Sequence, residues 1–328
     1  MSTVGRKTKD SGVDGLLVID KPTGWTSHDI VAKCRGAYAQ RRCGHAGTLD
    51  PDATGVLLVG FGNATKLLTF LTDLPKTYTT EMVMGATTNT LDDSGEILER
   101  FEMPTLSVQD LQTAAQQFVG DILQIPPMVS AVQVGGVRLH QLARQGIEIE
   151  RAPRPVRVYR YDVLSALGNN VFTAEVVCGS GTYVRTLVDD LGKAMGGGAH
   201  LRNLRRTAIG SFASADGDSP LRSGFGDRPL VTPAAALRDY PAVRADDDMT
   251  GRIRNGVVLD RDHFTSGHVT GPQRVLAPDG ELLAVYEVNG QRFQPLVVLP
   301  RREGTGESQA VRATDGVTGN VDRRADHS

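Results

Sequence analysis

Two strand-like segments separated by a short turn most constrain how this chain can fold. Residues 155–167 and 171–178 are rich in valine and aromatic side chains, and Gly168-Asn169-Asn170 joins them. Glycine and asparagine tolerate the backbone conformations that tight turns require. We therefore predict that the two segments pair as neighbouring strands of a sheet.

Short apolar runs and helical patterns alternate along the first 200 residues. Strands are predicted at 16–19, 56–60, 78–84 and 129–134, and helices at 27–38, 65–71, 107–118, 139–145 and 183–195. Ser27 and Thr182 are the predicted N-caps of two of these helices, and Asp110 stands in a capping-box position. The mixture of strands and helices predicts an α+β domain.

A change of composition divides the chain. Serine, aspartate and glycine dominate residues 214–229, which we predict to be a linker after a domain at 12–213. Residues 230–300 predict a small β-rich unit, with a short helix at 233–237 and strands at 281–288 and 292–299 around Asn289-Gly290. Residues 1–11 and 301–328 have few large apolar side chains, so we expect both to be disordered.

The charge of the chain is nearly balanced but unevenly distributed. Thirty-six basic and 38 acidic residues leave a net charge of −2, which gives no reason to propose a nucleic-acid partner. However, residues 151–210 hold nine basic and four acidic residues, whereas residues 81–110 hold seven acids and one arginine. This distribution permits a basic face, although charge runs of this kind are more often simply solvated helix faces.

Cysteines and apolar runs indicate the compartment. Cys34, Cys43 and Cys178 are odd in number and widely spaced, which predicts reduced thiols and neither a disulfide framework nor a zinc site. No apolar run approaches the ~18 residues of a membrane span, and the N-terminus lacks the apolar segment of a secretory signal. We therefore expect a cytoplasmic protein that does not associate with membranes.

The densest group of chemically capable residues is the glycine-bounded loop 44–55. It reads Gly-His-Ala-Gly-Thr-Leu-Asp-Pro-Asp-Ala-Thr-Gly and presents Asp50 on a bend set by Pro51. The Asp50 carboxylate could act as a nucleophile or general base, and His45 could contact a base edge or a phosphate. A plain Asp-Pro turn with a nearby histidine is the alternative. The spacing matches no standard metal site.

This loop resembles the signature of the bacterial TruB-type tRNA pseudouridine synthases, Gly-His-x-Gly-x-Leu-Asp-Pro-x-Ala-x-Gly. Further similar motifs follow in the same order, over residues 14–212: Asp20-Lys21-Pro22, Ala64-Thr65-Lys66, Lys76-Thr77-Tyr78, Thr90-Leu91-Asp92, Pro126 to Ala131, Leu142 to Gly146, Gly181 to Leu187 and Leu204 to Thr207. The sequence departs from the family pattern at Val137, His140, Asn89 and Gly179-Ser180.

The resemblance implies a fold and an activity. The fold would be the α+β pseudouridine synthase fold with a largely antiparallel mixed sheet, followed by a small β-rich PUA-like unit that binds RNA. The activity would be isomerisation of uridine to pseudouridine at position 55, in the T loop of tRNA, on a nucleotide flipped out of the RNA. An isomerisation needs neither a metal nor a redox cofactor, so we expect none.

The resemblance also implies roles for individual residues. Asp50 would be the nucleophile, with Arg185 ion-paired to it and Asp92 holding Arg185 from its other side. Tyr78 would stack on the base, and Tyr183, Leu204 and His45 would contribute to the substrate pocket. The expected phosphate contacts come from Lys21, Lys66 and the arginine-rich stretches 151–160 and 202–206.

Two other functions compete with this assignment. One is a noncatalytic tRNA-binding or chaperone module, which retention of Asp50 disfavours. The other is a guide-RNA-dependent pseudouridine synthase, for which we recognise no partner-docking segment. We expect the protein to act on the T arm of tRNA, as a monomer.

Overall fold

The computed structural model describes residues 12–130, 133–134, 137–138, 147, 149–261 and 270–301. At 133–134 and 137–138 this description covers the backbone alone. The predicted helix at 139–145 lies outside the described residues, as do the predicted disordered segments apart from Arg301. Of the described residues in the predicted strand at 129–134, residues 133–134 form a strand and residues 129–130 do not.

The strands are numbered in chain order. They are β1 (Gly15–Lys21), β2 (Cys43–Ala46), β3 (Thr54–Phe61), β4 (Lys76–Met84), β5 (Ala86–Thr88), β6 (Ile97–Arg100), β7 (Gly120–Gln124), β8 (Gln133–Val134), β9 (Val137–Arg138), β10 (Arg154–Gly168), β11 (Val171–Cys178), β12 (Ala199–Ile209), β13 (Phe212–Ala213), β14 (Ala242–Arg244), β15 (Leu259–Asp260), β16 (Pro272–Leu276), β17 (Leu282–Asn289) and β18 (Arg292–Val298).

The α-helices are α1 (Ser27–Ala37), α2 (Leu68–Asp73), α3 (Val108–Ala115), α4 (Val184–Ala194), α5 (Pro233–Ala236) and α6 (Asp247–Arg254). A 3₁₀ turn, Gly62–Leu67, leads into α2. Two predicted caps are wrong by one residue. Thr26 caps α1, in a capping box with Asp29, because the Ser27 hydroxyl is used elsewhere. Tyr183 stands at the N-cap of α4 without a side-chain bond.

A nine-stranded sheet forms the larger unit. Its strands run in the order β1-β3-β12-β4-β11-β10-β7, with β2 added beside β3 and β13 beside β12. Every pairing in it is antiparallel except β3 with β12. The predicted hairpin is present as β10 and β11, and both Asn169 and Asn170 have positive φ. The largely antiparallel mixed sheet that the resemblance implied is therefore confirmed.

Helices cover the sheet and close its cores. α3 and α4 pack with β4, β10 and β11, where Leu111, Phe172 and Leu187 are buried. At the other end, α1 packs on β1 and β3 through Ile30 and Cys34. Apolar side chains of both the strands and the helices form these two cores.

The segment that we predict as a linker lies along β1. The Asp20 N–H donates to the Asp218 carbonyl at 3.1 Å, and the Asp218 N–H donates to the Val18 carbonyl at 2.9 Å. Leu16 and Val231 form a two-way backbone pair, with both N···O distances at 2.8 Å. This edge of β1 would otherwise leave its polar groups unpaired, which explains why the segment follows it.

The C-terminal unit is β-rich, as predicted. Its five strands run in the order β14-β16-β17-β18-β15, and β17 and β18 are joined through Asn289 and Gly290. Leu276, Leu282 and Val285 belong to the same buried cluster as Leu16 and Phe212 of the larger unit, so the two units share a core. Within the described residues, no helix is long and apolar enough to cross a membrane.

Candidate active site

The loop between β2 and β3 carries Asp50 and lies where one edge of β3 changes its neighbour. β12 pairs with the first two residues of β3, whereas β2 pairs with the last four. The residues in between have no strand partner on that edge. Buried backbone groups without a partner are costly, so a side chain must satisfy them.

Arg206 fills this gap with its guanidinium group. The residue is 1% exposed. Its Nε donates to the Val56 carbonyl at 2.7 Å, its Nη2 to the Gly47 carbonyl at 3.0 Å and its Nη1 to the Thr48 carbonyl at 3.4 Å. One side chain of β12 therefore fastens the start of the Asp50 loop to β3.

Glycine is required where β12 approaches the end of this loop. Gly55 has a φ of +104°, and a Cβ built there would lie 2.1 Å from the Arg206 carbonyl oxygen. Any side chain would push β12 away from β3 and displace Arg206. The final glycine of the motif therefore has a steric explanation.

Two further buried side chains hold the middle of the loop. The Ser27 hydroxyl accepts from the Leu49 N–H at 3.0 Å and donates to the Leu49 carbonyl at 3.2 Å. The Lys21 ammonium donates to the carbonyls of Pro22, Trp25 and Pro51 at 3.0, 2.7 and 3.0 Å.

Lys21 is fully buried, and burial lowers its pKa to about 8 despite the nearby Asp52 and Asp50 carboxylates. An ammonium group enclosed by three carbonyls is not placed to contact a phosphate. The predicted phosphate contact of Lys21 is therefore replaced by a role in positioning the Asp50 loop.

Arg185 connects the Asp50 loop to a second loop. Its Nη2 lies 2.9 Å from an Asp50 carboxylate oxygen, and its Nη1 lies 3.4 Å from a carboxylate oxygen of Asp92. The same two nitrogens donate to the carbonyls of Val129 and Thr90, both at 2.9 Å. The structure thus brings the three predicted residues Asp50, Arg185 and Asp92 together.

Asp92 is fixed largely by its own loop. Its Oδ1 accepts hydrogen bonds from the Thr90 hydroxyl at 2.6 Å and the Ser94 hydroxyl at 2.5 Å. Its other oxygen faces Arg185. Two bound carboxylates compensate for a buried guanidinium near the N-terminus of α4, where a positive charge is otherwise unfavourable.

The Asp50 carboxylate is held at the mouth of a cavity. Its side chain is 45% exposed, while that of Arg185 is 4% exposed. The enclosing walls raise the pKa of Asp50, and the charges of Asp92 and Asp52 raise it further, whereas Arg185 lowers it. Arg185 therefore favours the ionised carboxylate in surroundings that disfavour it.

A cavity of about 250 Å³ opens beside Asp50. Its walls come from the Asp50 loop, β4, the 179–183 turn, α4 and β12. The lining includes Asp50, Lys76, Tyr78, Tyr183, Arg185, Leu204 and Arg206. Burial raises the pKa of the Tyr78 phenol, so Tyr78 is an uncharged wall of the cavity at neutral pH.

A second cavity, of about 320 Å³, lies on the other side of Asp50 and Arg185. It is bordered by Asp52, Asp92 and Asp93. Asp50, Arg185 and Leu204 border both cavities and therefore lie between them. Because one side is acidic, an anionic backbone would approach Asp50 from elsewhere.

Other predicted residues lie away from this cavity. His45 is in β2, packed edge-on against the His28 ring at 5.4 Å, and burial lowers its pKa to about 4. Lys66 donates to the Val298 carbonyl of the C-terminal unit at 3.2 Å. Neither side chain lines the cavity beside Asp50.

The arginines at 202–206 are also engaged within the protein. Arg206 is buried, Arg205 forms a two-pronged ion pair with Asp20 at 3.0 and 2.9 Å, and Arg202 pairs with Glu81. The prediction that this stretch supplies phosphate contacts is therefore wrong for Arg206. Its role is to shape the site.

Sequence reasoning missed three residues of the site: Lys76, Arg206 as a clamp, and Gln124. Gln124 accepts from the Tyr183 N–H at 2.8 Å and donates to its carbonyl at 3.0 Å, fixing the cavity wall from the end of β7. Lys76 could have been found, because it precedes Tyr78 by two residues on one strand and shares its face. The other two act over long separations.

Comparisons with known proteins agree with this geometry. Residues 35–184 match the N-terminal domain of the TruB family pseudouridylate synthases. Residues 185–219 match the tRNA pseudouridylate synthase B C-terminal domain, and residues 240–300 match the tRNA pseudouridine synthase II C-terminal domain.

Curated relatives cover most of the chain. A tRNA pseudouridine synthase B of Mycobacteroides abscessus is 41% identical over 87% of this chain and 96% of its own length. One of Mycobacterium tuberculosis is 38% identical over 87% and 95%, and one of Symbiobacterium thermophilum is 43% identical over 75% and 83%. The chain belongs to the TruB family. It is a pseudouridine synthase.

Solved structures support the fold. A Cbf5–Nop10–Gar1 complex contains a chain that matches with a TM-score of 0.67 and 24% identity, over 88% of this chain and 85% of that chain. An H/ACA RNP bound to a substrate RNA containing 2′-deoxyuridine gives a TM-score of 0.65 at 22% identity, over 88% and 86%. The predicted fold class is confirmed.

Proposed function

We propose that the protein converts uridine to pseudouridine at position 55 in the T loop of tRNA, with Asp50 as the nucleophile. The observation that carries the proposal is the Asp50 carboxylate, held by buried Arg185 at the mouth of a cavity walled by Tyr78. The names of the relatives, at 38–43% identity, point to tRNA as the substrate.

The reaction rearranges bonds without gaining or losing atoms. The bond between C1′ and N1 breaks with its electron pair left on the base, and a bond between C1′ and C5 forms. C5 then loses its proton and N1 gains one. A carboxylate can attack and later leave, which suits Asp50. Arg185 keeps the carboxylate ionised and oriented for either possible attack, on the sugar or on the uracil ring.

The substrate base must leave its RNA loop to reach Asp50. The cavity of about 250 Å³ is smaller than the roughly 300–1,000 Å³ of drug-sized ligand sites, which fits a single base. Tyr78 offers an aromatic face for stacking, a contribution of about 1–3 kcal/mol per base in single-strand binding. Tyr183 and Leu204 complete the walls.

Phosphate contacts come from the rim. Arg154 is exposed at the start of β10 and borders a small cavity with Tyr183 and Gln124. Within the arginine-rich stretch 151–160, Arg154 is therefore the arginine best placed to contact a phosphate. Arg157 and Arg160, by contrast, are paired with acidic side chains of the sheet.

The direct test incubates the purified full chain with an unmodified tRNA transcript and maps pseudouridine by position. A transcript with cytidine at position 55 is the control. Product at position 55 supports the proposal, and product elsewhere overturns the assigned position. Binding without product would favour the noncatalytic tRNA-binding function, and product only with an added guide RNA would favour guide dependence.

A further inference from the structure

Two buried cations lie at one end of the active-site cavity. Lys76 is 4% exposed and Arg206 is 1% exposed, and both line the cavity beside Asp50. Neither forms an ion pair with a carboxylate among the described residues. The Arg206 guanidinium donates to the carbonyls of Val56 and Gly47, and it also forms a side-chain hydrogen bond with Tyr78. The Lys76 ammonium donates to the carbonyl of Thr72. Positive charge is thus concentrated here without a neutralising partner.

Tyr78 lies beside these two cations on the strand wall of the cavity. Lys76 and Tyr78 share one face of β4, and Arg206 is the register partner of Tyr78 on β12. Asp50 lines the same cavity from the loop between β2 and β3. A base stacked on Tyr78 with its sugar toward Asp50 would present another edge to the strand wall that carries Lys76.

The reaction creates negative charge on the base. If Asp50 attacks C1′, the departing base retains the electron pair of the C1′–N1 bond as a uracil anion. If Asp50 attacks the ring instead, the pair is pushed onto the ring and its oxygens. Both routes place an anion in the cavity. A preorganised cation in a water-poor site is an effective way to stabilise such charge.

We infer that Lys76 is a further catalytic residue, which stabilises the negative charge on the detached uracil by donating from its ammonium to the far edge of the ring. This inference rests on the proposed function, because it requires a uridine in the cavity. Arg206 adds positive charge from behind, while its donors remain occupied by the Asp50 loop.

A purely structural role accounts poorly for this lysine. A cation near the last turn of a helix interacts favourably with the free carbonyls of that turn. Lys76 makes this interaction with α2 by donating to the Thr72 carbonyl. However, an exposed lysine could do the same without burial beside a second cation. Burial and Arg206 together lower the pKa of Lys76 to about 8. The free-energy cost of burying the charged Lys76 ammonium is offset when an anionic base occupies the cavity.

The first measurement compares Lys76→Met with Lys33→Met, a variant of an exposed lysine on α1. Methionine retains most of the buried stem without its charge. At saturating tRNA we expect the single-turnover rate of Lys76→Met to fall about 10²-fold, as for loss of one charge-stabilising donor. The dissociation constant for tRNA and the melting temperature should stay near those of the wild type, as should all three quantities in Lys33→Met.

A leaving-group test separates charge stabilisation from misfolding. Fluorine at C5 withdraws electrons and stabilises an anionic ring, so tRNA with 5-fluorouridine at position 55 needs less help from Lys76. We measure consumption of the modified nucleoside in one turnover. The rate loss of Lys76→Met should be about tenfold smaller with 5-fluorouridine than with uridine. Equal losses with both substrates would overturn the inference.

The pH profile supplies an independent readout. The pKa of Lys76, about 8, predicts that the wild-type rate falls as pH rises through 8, because the ammonium loses its proton. The groups facing Lys76 are Asp73 on α2, Tyr78 on β4, Cys178 on β11 and Arg206 on β12. Burial raises the pKa of Cys178 to about 11 and also raises that of Tyr78, so both stay protonated at pH 8.

Lys21 also has a pKa of about 8, so the variant decides between the two lysines. The inference requires that the fall above pH 8 disappears in Lys76→Met. Its persistence there, or a loss of tRNA affinity with an unchanged saturated rate, would overturn it. The wild type reports the proposed function separately, because product at position 55 is measured in the same experiment.

Discussion

Two loops reach Arg185 from opposite sides, and they are held in different ways. The Asp50 loop is fixed by Ser27 and Arg206, whose elements are distant from it in the sequence. The Asp92 loop is held mostly by its neighbours, since the Thr88 hydroxyl donates to the Asp92 carbonyl at 2.7 Å and Ser94 binds the carboxylate. Its link to the sheet is a backbone bridge to β12.

This difference separates two requirements of the site. The nucleophile must stay in place while bonds form and break, and contacts from several elements fix it against movement in any direction. The carboxylate behind Arg185 only has to remain near a guanidinium, which short-range hydrogen bonds achieve. Variants of the two loops should therefore differ in their effects, and the largest effect is expected at the nucleophile.

Asp50→Asn should abolish pseudouridine formation, lowering the single-turnover rate by at least about 10⁴-fold, as loss of a nucleophile does elsewhere. The tRNA dissociation constant should change little, because phosphate contacts supply most of the affinity. Asp52→Asn is the control, since Asp52 is an exposed neighbour and the ion pair with Arg185 is formed by Asp50. Turnover by the Asp50 variant, or inactivity of the Asp52 variant alone, would contradict the assignment.

Arg206→Met should weaken the Asp50 loop from a distance. The carbonyls of Gly47, Thr48 and Val56 would lose their donor, and unsatisfied buried groups cost about 1–3 kcal/mol each. We expect the free energy of unfolding, measured in urea, to fall by about 3 kcal/mol. The rate of pseudouridine formation should fall as well, because the Asp50 loop is no longer held in place.

Arg205→Met is the matched control for Arg206→Met. Arg205 is the preceding residue, and its ion pair with Asp20 is partly exposed. Such pairs contribute at most about 1 kcal/mol. If both variants lost the same stability, the clamp attributed to Arg206 would not exist.

The two loops also show how far sequence alone reaches. Loop 44–55 and the stretch Thr90-Leu91-Asp92 could both be recognised by their resemblance to family motifs, because each signal is contiguous in the sequence. The clamp of Arg206 depends on β12 lying parallel to β3, a pairing of residues about 150 positions apart. Local periodicity contains no information on such a pairing. The strand β12 itself, with charged residues along it, was not predicted.

The lysines illustrate the same limit. The sequence shows three cations at Lys21, Lys66 and Lys76 but not which of them are buried. Burial follows from tertiary packing, and it changes Lys21 from an expected phosphate ligand into a loop support. The β-rich character of the C-terminal unit was predictable from Asn289-Gly290 and its flanking strands, whereas the core it shares with the larger unit was not.

Asp92→Ala should slow catalysis by about 10²-fold, because Arg185 would lose one of its two carboxylates and could shift away from Asp50. Affinity for tRNA should remain. Asp93→Ala should be nearly silent, since Asp93 is tied to β12 through its backbone N–H rather than through a contact with Arg185. Single-turnover rates at saturating tRNA check both. Equal effects would show that the loop acts as one unit.

The acid side of the pH profile should report Asp50. Its raised pKa means that the carboxylate takes up a proton as pH falls, at a higher pH than an ordinary aspartate with a pKa near 3.9. The wild-type rate should therefore fall tenfold per pH unit at pH values below the pKa of Asp50. Asp92→Asn removes a negative charge that raises the pKa of Asp50. The acid limb of the pH–rate profile of this variant should therefore move to lower pH. Movement in the other direction would contradict the assigned electrostatics.

The smallest expected effect compares one hydroxyl from each loop. Ser27→Ala leaves the buried N–H and carbonyl of Leu49 without partners, which should cost about 1–2 kcal/mol of the free energy of unfolding. Ser94→Ala removes an exposed hydroxyl whose carboxylate partner keeps its bond from Thr90, so stability should change by no more than about 0.5 kcal/mol. Urea denaturation of the two variants measures both values. A larger loss in Ser94→Ala than in Ser27→Ala would mean that the short-range bonds, and not the contacts between distant elements, provide the greater constraint on the site.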